Sequence, residues 1–110
     1  MANLLEEYVL RHNRGLSSGD FTSMLELFCD DAEMTFVGLP VGPFVGRDAI
    51  AAAFRDAPPD DQLVLLSTAC DGARISGGYG WRGRHGQPEG SLELTARDGK
   101  IARLTVVVTR

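Results

Sequence analysis

Residues 17–38, SSGDFTSMLELFCDDAEMTFVG, place a helix stop, a helix start and a strand in direct succession. Upstream of them, Leu5, Val9, His12 and Leu16 recur at helical spacing with Leu4 and Tyr8 beside them, which predicts a helix over residues 3–18. Gly19 ends that helix. Asp20 carries the short oxygen-bearing side chain that caps a helix start, so a second helix is expected over about 20–29, with Phe21, Met24, Leu25 and Phe28 on its buried face. A short strand near 32–37 and an extended piece at 43–45 follow.

Further on, GPFVGRDAIAAAF (residues 42–54) opens a third helix, expected from about Arg47 to Ala57. Asp48 lies in its first turn, where the helix dipole favours a negative charge, and Pro58-Pro59 stops it. Ala49, Ile50, Ala53 and Phe54 supply its inner face. Everything after Pro59 reads as strand and turn. Residues 62–70, QLVLLSTAC, form a strand that is apolar on both faces, Asp71-Gly72 is a hairpin signal, and residues 73–82 return as the next strand. Gly77, Gly78 and Gly80 weaken that strand unless it bends sharply or another backbone packs close to it. GRHGQPEG (83–90) reads as a loop, followed by strands over 91–96 and 100–109 joined at Arg97-Asp98-Gly99. Helices followed by a run of strands make an α+β domain, one unit over residues 1–110.

A three-residue loop at 97–99 sets Leu92 opposite Leu104 and Leu94 opposite Ala102. Leu92, Leu94, Ala96, Leu104, Val106 and Val108 then share one face. Ser91, Glu93, Thr95, Arg103, Thr105 and Val107 share the other, with Glu93 facing Arg103 as an exposed ion pair.

Composition excludes several functions. The chain has 110 residues, 44% of them apolar, with 11 basic and 15 acidic side chains and a net charge of −4. That acidic excess repels phosphate backbones and argues against nucleic-acid binding. The opening MANLLEEYVL carries Glu6 and Glu7 where a secretory leader needs positive charge, and its apolar run is too short to span a bilayer; no membrane association and a cytoplasmic location are expected. Cys29 and Cys70 lack CxxC spacing and read as small buried hydrophobes. His12 and His85 have no second ligand at i+4, so no metal site is expected. GGYGWRG (77–83) lacks the Lys-Ser/Thr pair of a phosphate loop and continues into a strand. No cofactor is expected.

The two quoted stretches, together with the closing ARDGKIARLTVVV (96–108), resemble the nuclear transport factor 2-like superfamily, in its SnoaL-like and ketosteroid-isomerase-related branch. The resemblance implies a cone: three helices packed on a strongly curved antiparallel sheet, as in cystatin-like folds, enclosing an apolar pocket for a small hydrophobic molecule. It also implies a homodimer through the outer face of the sheet. The run Leu63, Val64, Leu65, Leu66 supports that independently, since alternation sends half of these side chains away from the cone.

The family's isomerase residues carry over poorly. The base position of the first strand falls on Phe36, the protonated aspartic acid on Leu92, and the tyrosine of the first helix on His12. The aspartate-arginine-aspartate set of limonene epoxide hydrolase has no match either, as Arg97-Asp98 lies in a turn. His12 is therefore the catalytic candidate, read either as a satisfied core histidine or as a general acid or base. Tyr8 lies one turn before it. Tyr79 and Trp81 share a face with Ile75 and form a wall for a flat ligand or simple core. Met34, Phe36 and Phe54 complete the expected pocket, with Phe44 near its mouth and Leu92, Leu94 and Leu104 across from them. His85 is expected to be exposed. Two functions follow: an isomerase, cyclase or hydrolase acting on a hydrophobic carbonyl or polyketide-like substrate, or a non-catalytic binding or dimerisation module on the same scaffold.

Overall fold

The computed structural model describes residues 3–109; Met1, Ala2 and Arg110 lie outside them. Helix α1 (Leu4–Ser18) begins at a reciprocal cap. The Asn3 side chain accepts the Glu6 amide proton at 2.9 Å, and the Glu6 carboxylate accepts that of Asn3 at 2.9 Å, an arrangement worth about 1 kcal/mol. Gly19 ends the helix in the left-handed conformation and donates to the Gly15 carbonyl.

Helix α2 (Thr22–Leu25) is a single turn, much shorter than the sequence suggests. Its N-cap is Phe21, one residue later than the expected Asp20, and no side chain caps it there; Asp20 instead accepts from the Thr22 amide at 2.9 Å and the Thr22 hydroxyl at 2.6 Å. The chain leaves the helix early because its backbone finds partners in the sheet. The Leu27 carbonyl accepts from Ile101 at 2.7 Å, and β1 (Phe28–Val37) starts four residues before its expected beginning. After β2 (Phe44–Val45), helix α3 (Arg47–Asp56) buries Ile50 completely.

Five strands follow: β3 (Leu63–Leu65), β4 (Ala69–Asp71), β5 (Arg74–Trp81), β6 (Pro88–Arg97) and β7 (Lys100–Val108), with a 3-10 turn at Arg82–Arg84. They join one sheet in the order β2-β1-β7-β6-β5-β3, with β4 also pairing β5. The sheet is curved and mixed, because β1 pairs β7 in parallel while the other pairs are antiparallel. No hairpin links β1 to β7, so nothing forces them to run in opposite directions. The core between sheet and helices centres on Leu5, Met24, Phe28, Ile50, Ile101 and Leu104, all fully buried.

The expected strand over 62–70 breaks in two. The Ser67 hydroxyl accepts the Gly78 amide at 3.1 Å in place of a ladder carbonyl. The chain there runs so close to β5 that a Cβ on Gly77 would sit 2.1 Å from the Ser67 oxygen. Residues 69–74 beyond the break are all exposed. Cys70 is therefore exposed on β4, contrary to its reading as a buried hydrophobe, whereas Cys29 is buried as expected.

The last hairpin also corrects its expected register. Asp98 and Gly99 are both left-handed, at φ 55° and 78°, and Arg97 pairs with Lys100, so the turn has two residues. Ala102 is then an extra residue, because Ala96 pairs with Ile101 and Thr95 with Arg103. This bulge restores the facing of everything beyond it. Leu92 lies opposite Val106 and Leu94 opposite Leu104, with the inward set preserved. Glu93 faces Thr105, and its ion pair is with Arg74 on β5 at 3.1 Å.

A second bulge lies between β5 and β6. Tyr79 pairs with Gly90 and Gly80 with Pro88, leaving Glu89 as the extra residue. The crowding is severe on both sides. A Cβ on Gly80 would lie 2.4 Å from the Gln87 oxygen, and one on Gly90 would lie 1.8 Å from the Val107 oxygen. Gly90→Ala should therefore destabilise the domain by about 1–3 kcal/mol in urea unfolding, as overpacking against rigid backbone does. Gly83→Ala, whose added carbon meets only the end of the Asp61 side chain, should cost much less; equal losses would refute this account.

Candidate functional site

The concave face of the sheet and helices α1 and α3 enclose a cavity of about 740 Å³. That is ample for a drug-sized molecule. Its lining is dominated by carbon. Met34 and Phe36 come from β1, Tyr79 and Trp81 from β5, and Leu92 from β6. Ala49, Ala53 and Phe54 come from α3, because the i, i+4, i+5 spacing turns them to one side of that helix. Phe44 also lines the cavity, its ring edge-on to that of Phe36 at 6.2 Å. Trp81 stands edge-on to Tyr79 at 5.7 Å. Two of the expected lining residues are absent from the wall. Leu94 and Leu104 are buried in the core and do not line the cavity.

His12 lies in this wall, 3% exposed. Its ring is surrounded by those of Tyr8 at 6.1 Å, Phe21 at 6.3 Å and Phe54 at 6.4 Å. The next residue fixes its tautomer. The Asn13 amide is held by the β3 backbone, its Nδ2 donating to the Leu63 carbonyl at 2.9 Å and its Oδ1 accepting from the Leu63 amide at 2.8 Å. With Oδ1 so assigned, the 2.9 Å contact from His12 Nδ1 has to carry a proton on Nδ1. The lone pair is left on Nε2. Burial lowers the imidazole's pKa below its ordinary value, only partly offset by the hydrogen bond to Asn13. The ring is thus a neutral base at neutral pH.

Two hydroxyls accompany it. Burial pushes the Tyr8 phenol well above its ordinary range, with a further push from Tyr79. Burial also raises Tyr79, helped by the nearby Glu89 carboxylate. Both stay protonated and can donate. His85 is exposed in the turn after β5, away from this group.

Glu89 is the residue that the sequence reading missed. Read as part of a surface loop, it is 4% exposed and lines the cavity. The cause is the β5–β6 bulge. Plain alternation back from Leu92 would turn Pro88 inward and Glu89 outward, and one extra residue beyond Gly90 reverses that. The glycines flanking the loop were the available signal, since they mark where backbones approach closely. Arg84 reaches the Glu89 carboxylate at 3.7 Å from the 3-10 turn, its own side chain half-exposed.

Among the described residues, no group of three His, Cys, Asp or Glu side chains is placed to hold a metal ion, and no helix is long and apolar enough to cross a membrane.

Comparison with known proteins gives a single family: the SnoaL-like domain, whose sequence profile matches residues 9–104. No curated protein matches the chain by sequence. Several solved structures share the fold. A nuclear transport factor 2-like protein of unknown function from Cytophaga hutchinsonii superposes with a TM-score of 0.72 at 14% identity, over 99% of this chain and 92% of its own. A protein from Sinorhizobium meliloti, named as a candidate polyketide cyclase, gives 0.64 at 23% identity over 91% and 93%. A Kribbella flavida protein, named as a candidate ketosteroid isomerase, gives 0.68 at 17% identity over 94% and 79%. At these identities the likeness is one of fold.

The buried imidazole should be visible in the pH dependence of stability. Unfolded, His12 takes up a proton as pH falls through about 6.5; folded, it does so only at lower pH, because burial opposes the charge. In that window the unfolded chain binds more protons, so acidification favours unfolding. From pH 8 to pH 5 the melting temperature should fall more steeply for the wild type than for His12→Gln. Parallel curves in scanning calorimetry would refute this.

Proposed function

The chain belongs to the SnoaL-like domain family, and on that premise we propose that its cavity binds a small hydrophobic carbonyl compound and moves a proton beside the carbonyl group. The observation that carries this reading is the fixed tautomer of His12, which leaves Nε2 as a neutral base on a ring in an apolar wall. An imidazole held without charge in an apolar wall is suited to general base catalysis, an effect worth about 10²–10⁴ in rate.

The chemistry needs two contributions. Nε2 takes a proton from the carbon next to the carbonyl, and the developing charge on the carbonyl oxygen needs a hydrogen-bond donor. Tyr8, kept protonated by burial and beside His12 in the wall, supplies that donor. Phe36, Phe54, Tyr79 and Trp81 provide flat surfaces for a ring-bearing substrate. The names of two fold neighbours, polyketide cyclase and ketosteroid isomerase, describe carbonyl chemistry of this kind.

A non-catalytic binding module is the second reading. It is favoured by Phe36 and Leu92, which occupy the two positions where the isomerase pattern requires carboxyl groups. It predicts a ligand that is held and released unchanged.

The bicyclic ketone 2-tetralone distinguishes the two readings. If it binds, a concentration of 100 times its dissociation constant adds about 2.7 kcal/mol to the folded state, roughly 10 °C in a domain of this size. In deuterated buffer the protein should accelerate exchange of the ketone's α-protons, followed by NMR, and His12→Ala should slow this at least tenfold. A thermal shift without exchange would select the binding module. We also propose that two copies pair through the outer face of the sheet. Leu66 is 43% exposed there and Val64 is half-buried, both on the side of the chain opposite Leu63. Small-angle scattering at micromolar concentration should give the mass of a dimer, and a monomer would overturn this pairing.

A further inference from the structure

We infer that Glu89 is a second base of this cavity, a carboxylate placed to take a proton from carbon. The inference rests on the reading of the cavity as a proton-transfer site, yet its structural basis is separate from that of His12.

Glu89 and His12 are the buried polar or charged residues among those described, and both line the same cavity. The fold is built to put the carboxylate there. Glu89 is the extra residue of the β5–β6 bulge, and the bulge forms only because Gly80 and Gly90 leave room for the Gln87 and Val107 carbonyls. Its backbone is anchored as well, since the Glu89 carbonyl accepts from the Thr109 amide at 3.1 Å and the Thr109 hydroxyl at 3.3 Å. Bulges that re-aim one side chain are features of sites.

A carboxylate oxygen in the wall of an apolar cavity is a group that can accept a proton from a bound carbon acid. Arg84 offsets its charge from the rim, at 3.7 Å and half-exposed, without filling the cavity. For a ketone, the C–H bond beside the carbonyl breaks, its proton goes to a Glu89 oxygen, and the electron pair forms the enolate. Return of the proton to carbon restores the carboxylate, and no other reactant is required. With His12 also in the wall, the favoured substrate class is a carbonyl compound with two exchangeable carbon positions.

The test uses 5-nitrobenzisoxazole, a small flat carbon acid that does not require a carbonyl site. A base takes the proton from its C3, the N–O bond breaks, and the cyanonitrophenolate product is read by absorbance. The wild type should open it faster than protein-free buffer, and Glu89→Gln should lower kcat/KM at least tenfold. Glu89→Asp, which keeps the charge, should retain more activity than Glu89→Gln at equal folded fraction, so that a loss of fold is told apart from a loss of base. A decrease of less than tenfold in folded Glu89→Gln, or a wild type no faster than buffer, would overturn the inference. Loss of tetralone exchange in His12→Ala but not in Glu89→Gln would remove Glu89 alone. Benzisoxazole opening that depends on Glu89, with no tetralone exchange, would uphold Glu89 and remove the carbonyl reading.

Discussion

Backbone meeting backbone at distances no side chain would permit is the constraint on which this structure depends. Along β5 and β6, Gly77, Gly80 and Gly90 each face a carbonyl oxygen where a Cβ would lie within 2.4 Å. A strand with side chains at those points would stay further from its neighbours and keep a regular ladder. Without them the ladder bulges, and bulges bend and twist a sheet. The bend lets the sheet curve over α1 and α3 and leave a hollow of about 740 Å³ between them. Glycines that would weaken an ordinary strand are here what allows the sheet to have this shape.

The same irregularities decide which side chains see the hollow. A bulge shifts the period-two alternation by one residue, so its effect on facing is complete. At Ala102 the shift sends Ile101 into the core and brings Leu104 and Val106 back into step with Leu92 and Leu94. At Glu89 it turns a carboxylate from solvent to cavity. Neither change costs the apolar pattern of the rest of the strand, and the fold therefore tolerates both.

Electrostatically the cavity keeps its groups neutral or offsets their charge. The carbon-rich wall disfavours charge on His12, Tyr8 and Tyr79, so the imidazole stays a base and the phenols stay donors. Asn13, clamped at both amide atoms by the Leu63 backbone, turns that preference into a defined proton position on the imidazole. Glu89 is the exception, with Arg84 countering its charge from the rim.

What the sequence by itself determined is the part carried by local periodicity and by punctuation. The stripe through Leu5, Val9 and His12, the stop at Gly19 and the start at Arg47 all act within a few residues, and α1 and α3 lie where these place them. Strand alternation likewise put Met34, Phe36, Tyr79, Trp81 and Leu92 in one wall. Tertiary structure alone decided where long-range pairing outweighs local preference. Phe28 and Cys29 joined β1 instead of extending α2, because hydrogen bonding near Ile101 was available across the sheet. The two-residue turn at Asp98-Gly99 came with a compensating bulge, and register depends on the sum of the two. Glu89 faces inward for the same reason: its orientation is set by a count of paired residues on two strands, and that count exists only once the strands have met.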